Sequence, residues 1–384
     1  MQPMQRAPTL DDAQTLRHAD RELLSLALMQ SRNRTLAWLA ALERFDAARH
    51  LAGGAGWWQE RWIGRNVQRL RGDAADRTHA PLASIEPQAD AWWGGGEVVS
   101  GPDPATLRAY LEATLEATLE LLAASADDDA ALHWFRAALF EEDALVLRFA
   151  AVAQREGVDV SKLLGERVRR PLRPALWFAA QRWLLGSARG GFVPEAEQWA
   201  HEEAVPEFEI DAQAISWQQF AEFVEDGGYD EPRWWSEQGA AWLAADGRRT
   251  PCDVEQLRHG VLLRRFGRLV RAPAGEAVAG LAWHEADAWC CWAGRRLPTE
   301  LEWELAASRG ASRGFVWGEV PEWTAGRARA WPGGPAVAAA TQRVQRVQRG
   351  VAWFEPRRLA HPKARRFAAA DDDAGFAGFR SCAS

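Results

Sequence analysis

Cysteine is scarce in this sequence. Four stand among 384 residues, two of them adjacent at Cys290 and Cys291, and no CxxC spacing occurs. That removes the common thiol redox and zinc signatures and leaves a reducing, cytoplasmic setting as the expectation. Tyrosine is scarcer still. Only Tyr110 and Tyr229 occur, the latter in a Gly-Gly-Tyr turn, so a tyrosine serving as an active-site acid is not expected. No excess of basic charge is present, and a net charge of -7 argues against a nucleic acid held on a basic surface. The opening residues, MQPMQRAPTLDDAQ, contain no apolar run, so neither a signal peptide nor a membrane span is expected there.

What the chain has is tryptophan, 22 of them, and a hydrophobic content of 47%, enough for sizeable cores in two domains or three. The densest stretch is WHEADAWCCWAGRRLPTELEWELAA, residues 283–307. Ala286, Trp289 and Ala293 fall at helical spacing, which predicts a helix from His284 to Ala293. Gly294 stands where a left-handed C-cap belongs. Leu297-Pro298 cannot continue a helix, and Thr299-Glu300-Leu301-Glu302 reads as a capping box that starts the next one. His284 is expected at the surface. Taken by itself the stretch is a core motif without a catalytic group.

Residues 13–166 read as helical. Leucines from Leu16 to Leu42 mark one or two amphipathic helices, and Trp57 to Leu70 a further segment. Residues 72–101 read as a loop. Asp103-Pro104 starts a helix whose stripe is Leu107, Leu111, Leu115, Leu119 and Leu122. Asp127 to Asp129 cap the next, which is expected to stop at Gly157. Four long helices with one long crossover give a four-helix bundle. Gly53, Gly54 and Gly56 crowd one turn, which is expected to be frayed or irregular because glycine disfavours helix. Near Pro171 the texture changes to short segments punctuated by Gly, Pro and Trp. LWFAAQRWLLGS reads as paired strands, and Ser216 with Gln219 caps a helix that Gly227 stops. The expected fold class is α+β, with a helical domain at 1–166 and a loop-rich domain at 167–384.

The run CxWAGxRLPTExEWExAA, here Cys290 to Ala307, resembles the signature of the formylglycine-generating-enzyme-like domain (sulfatase-modifying-factor-like, with a C-type-lectin-like fold). A helical domain ahead of it resembles the DinB-like bundle of the non-haem iron synthases of ergothioneine biosynthesis, and most closely the selenoneine synthases. GWWQERWIGRN at 56–66, ALFEEDA at 138–144, the run at 190–216, FVWGEVPEWTA at 315–325 and FAGFRSCA at 376–383 carry that likeness. It implies O2-dependent C–Se or C–S bond formation on trimethylhistidine, at iron held by three histidines. The matching positions here are Gly54, Glu141 and Leu145, none a histidine. Non-haem iron requires about three side-chain ligands on one side, so no iron cofactor is expected.

Further departures fall at the expected active-site mouth, at Val320-Pro321-Glu322-Trp323-Thr324 and Arg349-Gly350-Val351-Ala352-Trp353, and in the low-complexity run AVAAATQRVQRVQRG at 336–350. The copper cysteines of formylglycine-generating enzymes have no match near 350–367. His50 and His133, with Glu141, Glu142 or Asp143, could form a shifted metal site. Trp57, Trp58 and Trp62 could line an ammonium cage. Trp58, Arg61 and Trp353 are the candidate substrate-binding residues, Trp58 and Arg61 because they share the helix face of Gly54. His361 is a lone loop histidine, and Asp371 to Asp373 either cap a turn or meet substrate. Two readings follow. One is a family member without iron that binds a trimethylhistidine-like molecule or an active synthase. The other is an active enzyme with a relocated site. Neither nucleic acid nor membrane is an expected partner.

Overall fold

A computed structural model describes residues 9–95, 101–167, 171–335 and 345–384. The readings that fall on residues 1–8, on 168–170 at the domain junction and on 336–344 of the low-complexity run lie outside the described residues. The chain forms two compact units. The first runs to Leu163 and includes two short later segments, Gly190–Val193 and Glu355–Leu359. The second comprises the rest.

The first unit holds helices α1 (Ala13–Arg17), α2 (Arg21–Leu42), α3 (Asp46–Gln59), α4 (Ala89–Trp93), α5 (Pro104–Ala123) and α6 (Asp129–Arg155), with a last turn, α7 (Ser161–Leu164). Aspartate starts four of them. Asp12, Asp20, Asp103 and Asp128 each accept backbone N–H groups of the first turn, satisfying donors that a helix leaves orphaned. α2 packs along α6, and α3 against α5 and α6. Between them lies a core that includes Leu24, Leu28, Leu122, Leu132, Phe135 and Leu139, with Trp38 stacked on Phe149 at 6.2 Å.

Two expectations fail here. α3 is unbroken through Gly53, Gly54 and Gly56. The reason is packing: Trp93 lies where a Cβ on Gly53 would be, and Tyr110, Leu111 and Thr114 press on Gly56. Close approach outweighs the propensity cost. The irregularity comes one turn later, as a π-helical segment at Glu60–Gly64. The stretch 72–101, expected as loop, contains α4, which supplies Trp93.

The second unit is mixed. Its helices are α8 (Trp217–Glu225), α9 (Glu237–Asp246), α10 (Trp283–Trp292) and α11 (Glu300–Arg309). Its strands are β1 (Leu176–Phe178), β2 (Gln181–Leu185), β3 (His201–Val205), β4 (Phe208–Ile210), β5 (Val254–Gln256), β6 (Leu262–Arg265), β7 (Arg268–Arg271), β8 (Arg295–Arg296), β9 (Glu322–Arg327), β10 (Gln345–Arg349), β11 (Arg365–Ala369), β12 (Gly378–Phe379) and β13 (Cys382–Ala383). They form sheets in the orders β1-β4-β13-β8, β11-β10-β9-β12, β2-β3 and β5-β6-β7. Among the described residues all pairings are antiparallel except β12 with β9. β1 and β2 are both strands, but they do not pair with each other. β2 forms a hairpin with β3 and β1 joins β4, because the Ala179-Ala180 link carries no hairpin turn residue.

The capping box is present at both ends of its exchange. Glu302 N–H donates to Thr299 Oγ1 at 3.2 Å, and Thr299 N–H to Glu302 Oε2 at 2.7 Å. Gly294 takes a φ of 63°. Trp303 is fully buried, its indole N–H on Glu322 at 2.8 Å. The core of the unit is crossed by ion pairs, among them Arg380–Glu322, Arg349–Glu304 at 3.1 Å and Arg365–Glu300 at 2.7 Å. His284, expected at the surface, is buried. It stacks on Trp242 of α9 at 5.5 Å and meets Trp283 edge-on. Enclosure and the neighbouring Arg346 hold its pKa below the usual histidine range.

Candidate functional site

The three positions singled out by the family resemblance lie together. Gly54 of α3 and Glu141 and Leu145 of α6 line one cavity of about 200 Å³ inside the first unit. Helical spacing explains the convergence. His50, Gly54, Trp57 and Trp58 repeat on one face of α3, and Ala138, Glu141, Leu145 and Arg148 on one face of α6. Trp93 of α4 closes a third side. A Cβ built on Gly54 meets nothing within 4 Å, so that wall is open space where a side chain would fit.

The chemistry of this lining is sparse. His50 sits with Arg148 nearby, and burial together with that guanidinium holds its pKa below the usual histidine range. Glu141 and Arg148 are both exposed at the rim, where opposite charges attract across two helical turns.

Glu142 also lines the cavity but is committed elsewhere. It takes a two-point pair from Arg32 at 2.8 and 3.2 Å and a hydrogen bond from Gln59 at 2.8 Å. Asp143 points away from the cavity and accepts from Ser31 at 2.8 Å, Arg34 at 3.0 Å and Arg358. Withdrawing either carboxylate would strand a buried guanidinium. His133 does not line the cavity: it packs edge-on against Trp134 at 5.0 Å and Phe192 at 5.6 Å. The structure therefore does not bring His133 to the cavity that His50 lines. Among the described residues no group of three or more His, Cys, Asp and Glu side chains is placed to hold a metal. One imidazole and one rim carboxylate fall short of the donor set that iron requires.

Of the candidate substrate-binding residues, Trp58 lines the cavity and Arg61 does not. Arg61 lies over the rings of Trp57 and Trp62, at 5.4 and 5.5 Å. The π-helical segment is the cause: its wider turn rotates residues after Gln59 off the face that Gly54 occupies. Trp62 stacks on Trp134 at 4.8 Å and is not part of a cage. Trp57 is fixed in place, its indole N–H on Asp90 at 2.7 Å. Asp90 is held in turn by Arg65, which lowers its pKa to about 2. Trp353 belongs to the second unit, under the guanidinium of Arg167. Arg148 and Trp93 were missed from sequence. Arg148 follows Glu141 by two turns, a detectable signal; Trp93 comes from a stretch without helical periodicity.

In the second unit, the two segments expected at an active-site mouth are largely buried, Glu322 to Thr324 within β9 and Arg349 at the end of β10, with Gly350 to Trp353 following outside the strand. Glu322, Trp323 and Thr324 are buried in β9, with Trp323 N–H on the Leu281 carbonyl at 2.7 Å and Thr324 Oγ1 on Val347 O at 3.0 Å. Asp373 pairs with Arg248 at 2.7 Å and Asp372 accepts the Ala374 N–H, so these two members of the acidic run serve the fold. His361 lies 4.0 Å from Glu197.

Residues 183–333, which include α10, the capping box and α11, match the model of the sulfatase-modifying factor enzyme 1-like domain. The second unit carries that domain. Over it the chain is related to hercynine oxygenases. The enzyme of Mycolicibacterium smegmatis is 38% identical over 128 residues, 32% of this chain and 29% of that protein. The serine/threonine-protein kinase Pkn1 of Chlamydia trachomatis serovar L2 is 32% identical over 112 residues, 29% of this chain and 16% of the kinase. The formylglycine-generating enzyme of Mycobacterium tuberculosis is 34% identical over 156 residues, 35% of this chain and 51% of that enzyme. The chain thus spans less than a third of the length of the hercynine oxygenases it matches. The chain thus matches proteins of three different names. No helix among the described residues is long and apolar enough to cross a membrane.

Proposed function

We propose that this chain is a relative of the hercynine oxygenases, with a DinB-like helical unit, in which the iron site has become a binding pocket. It takes a trimethylhistidine-like small molecule there, or pairs with an active synthase, and forms no C–S or C–Se bond itself. The observation that carries this is the lining of the cavity: glycine and leucine occupy two of the three ligand positions, and the buried carboxylate beside them, Glu142, is locked to Arg32. The surroundings suit a betaine. The Trp57, Trp58 and Trp93 side chains attract a quaternary ammonium, and Arg148 offers a cation to its carboxylate.

The test is titration of the purified protein with ferrous iron under anaerobic conditions, and separately with trimethylhistidine, by calorimetry. Weak or absent iron binding with measurable trimethylhistidine binding, reduced by Trp58→Ala, is the expected result. Because Gly54 faces open space, Gly54→His combined with Glu141→His and Leu145→His is expected to create iron binding. A second reading rests on His50 and Glu141 sharing the cavity: an active enzyme with a relocated site. Stoichiometric iron in the unmodified protein, abolished by His50→Ala, would establish it in place of the first.

A further inference from the structure

Buried arginines of the second unit come with carboxylates: Arg349, Arg365 and Arg380 pair with Glu304, Glu300 and Glu322. Arg346 of β10 is different. It is only 8% exposed, yet it forms no ion pair among the described residues. Its guanidinium carbon lies 3.5 Å from the centroid of the Trp283 ring. That ring is itself fixed, its indole N–H on the Thr324 carbonyl at 2.9 Å. Arg346 makes one hydrogen bond, from Nη1 to the Ala325 carbonyl at 3.2 Å. Nε is buried without an acceptor. Nη2 also has no acceptor among the described residues, but unlike Nε it is not sealed from solvent.

The residue directly opposite Arg346 in the β9–β10 ladder is another arginine, Arg327. Arg327 is exposed and makes no ion pair among the described residues. Like charges directly opposed across a sheet repel, and enclosure together with Arg327 lowers the Arg346 pKa. Asp287 of α10 attracts Arg346 without pairing with it, and its own pKa is raised by burial. Two guanidinium groups against one half-buried carboxylate leave positive charge in excess. A buried charge without a partner is costly, and an anion between the two arginines would remove that cost. Stacking on an indole leaves the in-plane donors of a guanidinium open, which is the fork that matches phosphate oxygens.

We propose that Arg346 and Arg327 form a binding site for a phosphoryl oxyanion beside Trp283. The oxyanion accepts from Arg346 Nη2 and from the Arg327 guanidinium, and its charge relieves their mutual repulsion. The site lies wholly in the second unit, shares no residue with the cavity of the helical unit, and does not rest on the function proposed for that cavity.

Inorganic phosphate is the probe, titrated into the full chain at constant ionic strength and followed by calorimetry. Saturable binding of one phosphate per chain is expected, with no such response to chloride. Arg327→Ala, a change at an exposed position, is expected to weaken binding about tenfold, the loss of one contact to a charged group. Asp287→Asn is expected to tighten it by removing the opposing charge. Arg346→Gln is expected to abolish binding; if that variant does not fold, the Arg327 and Asp287 variants decide. Absence of phosphate binding by the wild type, an equal response to chloride, or unchanged binding by folded Arg327→Ala would overturn the proposal.

Discussion

Glu285 offers the sharpest test of how the second unit is held together. It is fully buried at the first turn of α10, where it accepts the Tyr229 hydroxyl at 2.5 Å and the Ala282 N–H at 2.8 Å. Burial raises its pKa from 4.5 to about 7, against the lowering effect of those two hydrogen bonds and of Arg248. The sign follows from proton binding. Between these two values the folded chain holds a proton that the unfolded chain has released, so stability falls as pH rises. The contribution is complete below about pH 4.5 and is lost by the time pH passes 7. At 1.36 kcal/mol for each pH unit of separation, the full loss is roughly 3 kcal/mol, of which about 2–3 kcal/mol falls between pH 5 and pH 8. Glu285→Gln cannot ionise: its carbonyl oxygen can take the Ala282 N–H, and its amide N–H can donate to the Tyr229 hydroxyl oxygen in place of accepting from it. Urea unfolding at several pH values should therefore give wild-type and variant curves that diverge by that amount on going alkaline. Parallel curves would refute the reasoning, and would mean that the carboxylate is solvated or paired in the folded state.

Other outcomes can be measured by the same unfolding experiments. Thr299→Ala should cost about 1 kcal/mol through the lost cap, while Trp303→Ala should cost roughly 3–5 kcal/mol because that ring is wholly interior; melting temperatures equal to the wild type would show the core to lie elsewhere. Adjacent glycines should respond oppositely to alanine. Gly53→Ala collides with Trp93, whose nearest atom would be 2.1 Å from the new Cβ, and should destabilise. Gly54→Ala meets nothing and should stabilise by about 0.5–1 kcal/mol. Equal shifts at the two positions would contradict the packing described.

Helix starts were legible because one side chain decides them: Asp103, Asp128, Ser216 and Thr299 cap where their types and spacing indicate. The capping box and the left-handed Gly294 needed only local chemistry. The convergence of Gly54, Glu141 and Leu145 was accessible through resemblance, since no spacing within one helix says which face meets which neighbour. Three features were not readable. His284 is polar and stands in a first turn, so nothing local announces that Trp242, some forty residues earlier, covers it. Arg61 is off its expected face because the helix changes pitch after Gln59, and pitch is set by the loop that Glu60 anchors through Ser84 and Ile85. The partners of β1 and β2 depend on strands well downstream.

The interior ion pairs also bear on how the chain responds to its solvent. Arg32–Glu142, Arg358–Asp143, Arg349–Glu304 and Arg380–Glu322 are each at most 1% exposed. Mobile counterions act on charges they can approach, and even at about 1 M salt the screening distance of roughly 3 Å does not carry them through packed protein. Surface pairs such as Arg182–Glu202, more than half exposed on both sides, are open to screening. Ionic strength should thus act on the periphery of each unit and leave its framework untouched, so that the chain keeps its folded form in brine while its outer contacts weaken.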